Sequence, residues 1–89
     1  MTPKNYSLLQ FPCTFQFKII GTNNQDFEIF VAVVMRKHFP DLSEGAITSR
    51  VSKEGLYLSL TVHVKATSQE QIDAAYHELT TDDRVLFAL

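Results

Sequence analysis

The stretch from Cys13 to Phe39, CTFQFKIIGTNNQDFEIFVAVVMRKHF, changes its hydrophobic period once, and the fold turns on that change. From Cys13 to Ile20 the apolar residues alternate. Phe15, Phe17 and Ile19 fall on one side, and Thr14, Gln16, Lys18 and Ile20 on the other. Successive side chains of an extended chain point to opposite faces, so this pattern predicts a strand, ended by Gly21. From Phe27 the apolar residues recur at helical spacing: Phe27, Phe30, Val31, Val34 and Met35, with Phe39 closing the stripe. Between the two lies the turn Thr22-Asn23-Asn24-Gln25, with Asn23 or Asn24 expected as the helix N-cap. Asp26 and Glu28 in the first turn and Arg36, Lys37 and His38 in the last both suit the helix dipole, and Pro40 stops the helix.

Downstream the same alternation of periods continues. Two period-2 runs form a hairpin whose register follows from parity: Ile47 and Val51 must share a face with Leu58 and Val62. That pairs Val51 with Leu58 and Arg50 with Ser59, and it requires a turn of two residues (Glu54-Gly55) or four (Lys53 to Leu56). Leu56, Leu58, Leu60, Val62 and Val64 then face the core. Ser68 is the expected cap of a second helix, with Gln71 as its capping-box partner and Ile72, Ala75, Tyr76 and Leu79 as its buried stripe. A last strand runs from Arg84 to Ala88 with Val85 and Phe87 inward.

The order β-α-β-β-α-β predicts a ferredoxin-like α+β fold. It is a two-layer sandwich with a four-stranded antiparallel sheet in the order 4-1-3-2 and both helices on one face. Phe15, Phe17, Phe30, Val34, Leu58, Leu60, Val62, Ile72, Tyr76 and Phe87 are the expected core. Residues 1–10 read as an N-terminal arm whose apolar end, Leu8, Leu9 and Phe11, folds back onto a single domain spanning 11–89.

Composition narrows the function classes. With 89 residues and a net charge of −2, the chain makes one domain whose bulk charge recruits neither nucleic acid nor an anionic membrane. Cys13 is the only cysteine, which excludes an intrachain disulfide, a CxxC pair and a thiolate zinc cluster. Residues 1–10 lack the apolar core of a secretory signal, and no apolar run approaches membrane-spanning length, so a cytoplasmic protein is expected.

No motif supplies catalysis. Cys13 has no cation or histidine beside it in sequence to lower its pKa. His38, His63 and His77 fall on helix one, strand three and helix two. His63 points to the face opposite the helices, so the three cannot converge on a metal within one chain. Asp82-Asp83 reads as a turn. No catalytic residue, metal or cofactor is expected.

Two places could bind something. The open sheet face carries Lys18, Arg50, Tyr57, His63, Lys65 and Arg84, hence four of the eight Lys and Arg residues, while all ten carboxylates fall on helices or in loops. An acidic protein surface, a second copy of the chain or a small anion fits such a face. RNA fits less well, because stacking bases needs two or three exposed aromatics and only Tyr57 qualifies. The bland alternative is that these charges only keep an open sheet soluble. The second place is Gly21-Thr22-Asn23-Asn24, which leads into the positive end of helix one, where backbone N–H groups can hold a carboxylate. Turn chemistry alone also accounts for those residues.

Phe11-Pro12-Cys13-Thr14-Phe15 with Lys18 and Gly21 gives an F-P-x-x-F-x-x-K-x-x-G opening. Ser52-Lys53-Glu54-Gly55-Leu56-Tyr57-Leu58-Ser59 follows, then Thr61, Ala66, Glu70-Gln71, Tyr76 and Leu79. In order and spacing this resembles the uncharacterised bacterial YbeD-like family of small proteins, from about Leu8 to Leu89. The resemblance implies a βαββαβ fold similar to ACT-type regulatory domains, which bind amino acids or other small ligands and often pair sheets across a dimer. It implies no established activity. In ACT-like domains the ligand loop lies between strand one and helix one, the place of Gly21 to Asn24 here. The expectation is therefore a non-catalytic regulatory or protein-interaction domain acting through its basic sheet face or an edge strand. The alternative is an amino-acid-type sensor binding near Gly21–Asn24 at a dimer interface.

Overall fold

The computed structural model describes residues 9–89, so residues 1–8 of the expected arm, Leu8 among them, lie outside the described residues. The elements are β1 (Cys13–Thr22), α1 (Gln25–His38), a single 3₁₀ turn (Glu44–Ala46), β2 (Ile47–Val51), β3 (Tyr57–Ala66), α2 (Gln69–Thr80) and β4 (Val85–Ala88). All strand pairings are antiparallel, in the order β2-β3-β1-β4, and the whole is a ferredoxin-like α+β fold.

β1 and β3 form the spine, an unbroken ladder from Cys13 opposite Ala66 to Thr22 opposite Tyr57. Its inner face is the core. Phe17, Ile19, Leu60 and Val62 are fully buried beneath Phe27, Val31 and Met35 of α1 and Ile72, Ala75 and Leu79 of α2. Phe17 stacks edge-on against Phe15 and Phe39 and tilts over Tyr76, with ring centroids 4.8–5.8 Å apart, a geometry that adds to area burial. Leu9, Phe11 and Cys13 are partly buried against this cluster. Phe15, Phe30 and Tyr76, expected inside, are only half-buried at its margins.

The hairpin takes the expected register, with Val51 opposite Leu58 and Arg50 opposite Ser59. Ser52 N–H donates to the Tyr57 carbonyl (2.9 Å) and Ser52 Oγ accepts from Tyr57 N–H (3.0 Å), so the loop has four residues, Lys53 to Leu56. Gly55, at φ +78°, occupies the left-handed region this turn needs. Leu56 therefore belongs to the loop, not the strand. It is 55% exposed, which corrects its assignment to the core.

The second correction concerns β4. Ile19 lies opposite Ala88 and Ile20 opposite Phe87, but Gly21 lies opposite Val85. Leu86 is the extra residue of a bulge, and a bulge reverses the parity beyond it. Val85 packs on the core, whereas Phe87 shares the outer face with Ile20 and is 53% exposed. Leu89 and Lys18 exchange backbone hydrogen bonds of 2.8 and 3.1 Å, so Leu89 also lies on the outer side. The strand starts at Val85; Arg84 stands in the preceding turn.

Helix ends follow their caps. Asn24 Oδ1 accepts from Phe27 N–H (2.9 Å), and Ser68 Oγ accepts from Gln71 N–H (3.2 Å). Gln71 does not complete a capping box. Its Oε1 accepts from the Thr67 amide (2.7 Å), one residue before the cap, and its Nε2 donates to the His38 carbonyl (2.8 Å). One side chain thus satisfies an orphan carbonyl at the end of α1 and a donor at the start of α2. Glu78, in the last turn of α2, ties the other end of that helix to the same end of α1, pairing with His38 Nε2 (2.7 Å) and Lys37 Nζ (3.1 Å). The hydrogen bond from His38, then that from Lys37, holds the Glu78 carboxyl below its usual range.

Candidate functional site: the open face of the sheet

Both helices cover one side of the sheet, so alternation along three strands decides what the other side shows. Cross-strand partners share a face, and the outer residues fall into rows. Thr48, Thr61, Lys18 and Leu89 form one; Arg50, Ser59, Ile20 and Phe87 form the next. Tyr57 and Thr22 flank these rows at the hairpin end, and His63 with Gln16, then Lys65 with Thr14, at the other. Lys18, Arg50 and Lys65 are exposed and make no ion pair among the described residues.

The sixth residue expected here is elsewhere. Arg84 Nε and one terminal nitrogen donate to the two Asp82 oxygens (2.9 and 3.0 Å), and its guanidinium lies 4.4 Å from the centre of the Phe30 ring on α1. Arg84 is thus turned to the helical layer, a cation–π contact capping the turn before β4. That pair, with the Arg84 amide on the same Asp82 oxygen, drives the Asp82 pKa down to about 2. The basic face keeps Lys18, Arg50 and Lys65, with His63.

Sequence reading placed Ile20 and Tyr57 on this face but missed Phe87 and Leu89. Ile20, Tyr57, Phe87 and Leu89 form a band beside the cations, with Phe87 and Leu89 brought there by the bulge at Leu86. Nothing in the local pattern of a four-residue strand announces a bulge. Two hollows open on the face. One of ≈ 390 Å³ is walled by Lys18, Thr48, Ser49, Arg50, Ser59 and Thr61. Its neighbour, ≈ 340 Å³, has Ile20, Val51 and Tyr57 with Arg50 and Ser59 in its wall. At the far end, Asp41 borders a cleft that also touches His63 and Lys65.

The residues of the other candidate site are engaged in the fold. Gly21 lies inside β1, where an added Cβ would stand 2.6 Å from both the Phe27 ring and the Arg84 carbonyl oxygen. Asn23 ties the turn to the hairpin, its amide donating to the Leu56 carbonyl (3.0 Å) and its Nδ2 to the Gly55 carbonyl (2.9 Å). Asn24 fills the helix terminus with its own side chain, and Thr22 lies opposite Tyr57. Among the described residues no three of His, Cys, Asp and Glu are grouped as a metal would need, and no helix is long and apolar enough to cross a membrane.

A small four-stranded sandwich with one bare, mixed basic and apolar sheet face defines the class, an α+β domain of ferredoxin-like topology. Within it, the chain belongs to the YbeD-like family described as a protein of unknown function, DUF493, which it matches over residues 6–89. A UPF0250 protein of Neisseria gonorrhoeae is 42% identical over 83 residues, covering 93% of this chain and 91% of that protein. Another, from Chromobacterium violaceum, is 38% identical over 89 residues and the full length of both. The solution structure of protein HP0495 from H. pylori is similar in fold, with a TM-score of 0.70 at 12% identity over 98% of this chain and 91% of that one.

Proposed function

We propose that this protein is a small non-catalytic interaction domain whose open sheet face docks an acidic surface of another protein. The observation that carries the reading is the make-up of that face. Lys18, Arg50, Lys65 and His63 stand beside exposed Tyr57, Phe87 and Leu89, with no Asp or Glu in the rows between them. A chain gains nothing by placing Phe87 in water, and an exposed apolar patch rimmed by polar and charged residues marks an interaction site. Charge complementarity names an acidic partner. A regulatory role would follow from occupancy of that face.

The rival reading, an amino-acid-type sensor at Gly21–Asn24, draws less support, because Asn24 already caps α1 and Asn23 is bonded to the hairpin. A comparison of partners retained from native lysate by the wild type and by the double variant Lys18→Glu, Lys65→Glu tests the proposal. A partner held at low salt by the wild type and released by the folded variant is the expected result. An unchanged set of partners at low salt would overturn it. Melting-temperature shifts on adding free amino acids, lost on Asn24→Ala, would favour the sensor.

A further inference from the structure

The two hollows share a wall, and their spacing carries information about the partner. The first has two cations and three outward hydroxyls and no Asp or Glu: Lys18 on β1, Arg50 on β2, and Thr48, Ser59 and Thr61, with Ser49 in its wall. Lys18 and Arg50 sit two strands apart, about 10 Å across the sheet, with Ser59 and Thr61 of the central β3 between them. Long flexible side chains from both flanks can close on one carboxylate seated over those hydroxyls. The second hollow, across Arg50 and Ser59, offers Ile20 and the Tyr57 ring. Its centre lies one cross-strand row further along β3, roughly 7 Å, which is two residues of extended chain.

We infer that the face reads an extended segment of the partner in which an acidic residue is followed, two positions on, by an apolar or aromatic residue. This rests on the interaction reading above and specifies what the partner presents. The acidic side chain enters between Lys18 and Arg50, and the apolar one lies against Tyr57 and Ile20. In an extended peptide, residues i and i+2 point the same way, so both reach the sheet together while residue i+1 faces solvent. Both hollows open to solvent along the sheet, which suits a chain laid across them; a site for a small molecule would enclose most of its ligand. Arg50 serves both, pairing with the acid and presenting its guanidinium plane beside the apolar side chain.

The test is a titration of the ¹⁵N-labelled full chain, followed by amide shifts, with three blocked peptides: Gly-Glu-Gly-Phe-Gly, Gly-Gln-Gly-Phe-Gly and Gly-Glu-Gly-Gly-Gly. The first should shift the amides of Arg50, Tyr57, Ser59 and Thr61. Replacing its acid should weaken binding at least about tenfold, and replacing its Phe several-fold, the usual size of losing one charge-assisted contact or one buried ring. Lys18→Glu with Arg50→Glu should erase the preference for Glu over Gln, and Tyr57→Ala the preference for Phe over Gly. An undisturbed spectrum elsewhere shows that each variant is folded. Equal binding of the Glu and Gln peptides, or shifts confined to other parts of the chain, would overturn the inference. So would inorganic phosphate producing the same shifts with Phe adding nothing, which marks a generic anion site. The two readings fail separately. A native partner lost on charge reversal, with no peptide bound, leaves the interaction domain standing and removes the motif. Peptides bound as expected, with no partner released by charge reversal, do the reverse.

Discussion

The two ladders made by β1 obey different rules. Toward β3 it runs ten pairs without a break, and every inward residue from Phe17 to Ile19 lands in a fully buried place. Toward β4 it holds a short, bulged pairing in which Val85 packs on the core and Phe87, two residues on, stands in solvent. Same strand, same alternation, opposite outcome for a phenylalanine. Parity transmits along a regular ladder and stops at an inserted residue. The central pair builds the core, and the irregular edge adds Phe87 to the outer face.

That contrast sets the largest expected effect. Phe17→Ala should cost about 3–5 kcal/mol, because it empties a fully enclosed site ringed by Phe15, Phe39 and Tyr76. Phe87→Ala should cost less than about 1 kcal/mol. Urea denaturation of the two variants side by side measures the difference; similar losses would mean that the bulge does not hold in solution.

Gly21 sits where the two ladders meet. Gly21→Ala drives a methyl against the Phe27 ring and the Arg84 carbonyl, and the backbone atom cannot rotate away. A loss of about 1–3 kcal/mol is expected, as for other overpacked sites. Gly21→Ala with Phe27→Leu should recover part of it. A fully stable single variant would show that β4 drifts away from β1 freely.

Gly55→Ala acts at the far end of the regular ladder, in a turn with open space around the glycine and φ +78°. The penalty is backbone strain alone, about 1 kcal/mol. Amide exchange across Val51 and Leu58 should quicken in this variant while that of Phe17 and Val62 keeps pace with global stability.

The smallest effect concerns the turn into β4. The folded-state pKa of Asp82 is depressed, to about 2 from 3.8, by its bonds to Arg84. Its contribution to stability is therefore complete above the unfolded value and disappears as pH falls from about 4 through 2. A carbon-detected titration of the Asp82 carboxyl should give the low value, and Arg84→Ala should return it toward 3.8. An Asp82 that titrates normally in the wild type would place the Arg84 guanidinium in solvent and off the Phe30 ring.

The sequence disclosed what is periodic and local. The strand-one parity, the Val51–Leu58 register and the caps at Asn24 and Ser68 each follow from a few neighbouring residues, and each appears in the fold. The failures share a cause. Phe87 depends on a bulge, Leu56 on which of two allowed loop lengths is used, and Gln71 on the carbonyl of His38, 33 positions away. Arg84 was placed on the sheet face by strand parity, but it precedes the strand and answers to Asp82 and Phe30. Of the candidate face, the cations on β1, β2 and β3 were legible because those strands are regular. Of its apolar half, Ile20 and Tyr57 were legible on the same regular strands, whereas Phe87 and Leu89 were not, because the one irregular pairing brings them there.

The contact between Gly21 and Phe27 also constrains how such chains can drift. The first turn of α1 rests on bare backbone at that point, so the height of the helix above the sheet is set by one ring lying where another residue would have a methyl group. A change at Gly21 then calls for a smaller residue at position 27 and for β4 to give way at the Arg84 carbonyl. Among relatives, any lineage that has replaced the glycine is expected to carry a smaller side chain in place of the phenylalanine, with both changes arising on the same branch of the tree. A lineage with alanine and phenylalanine together would have to carry a helix that sits further from its sheet.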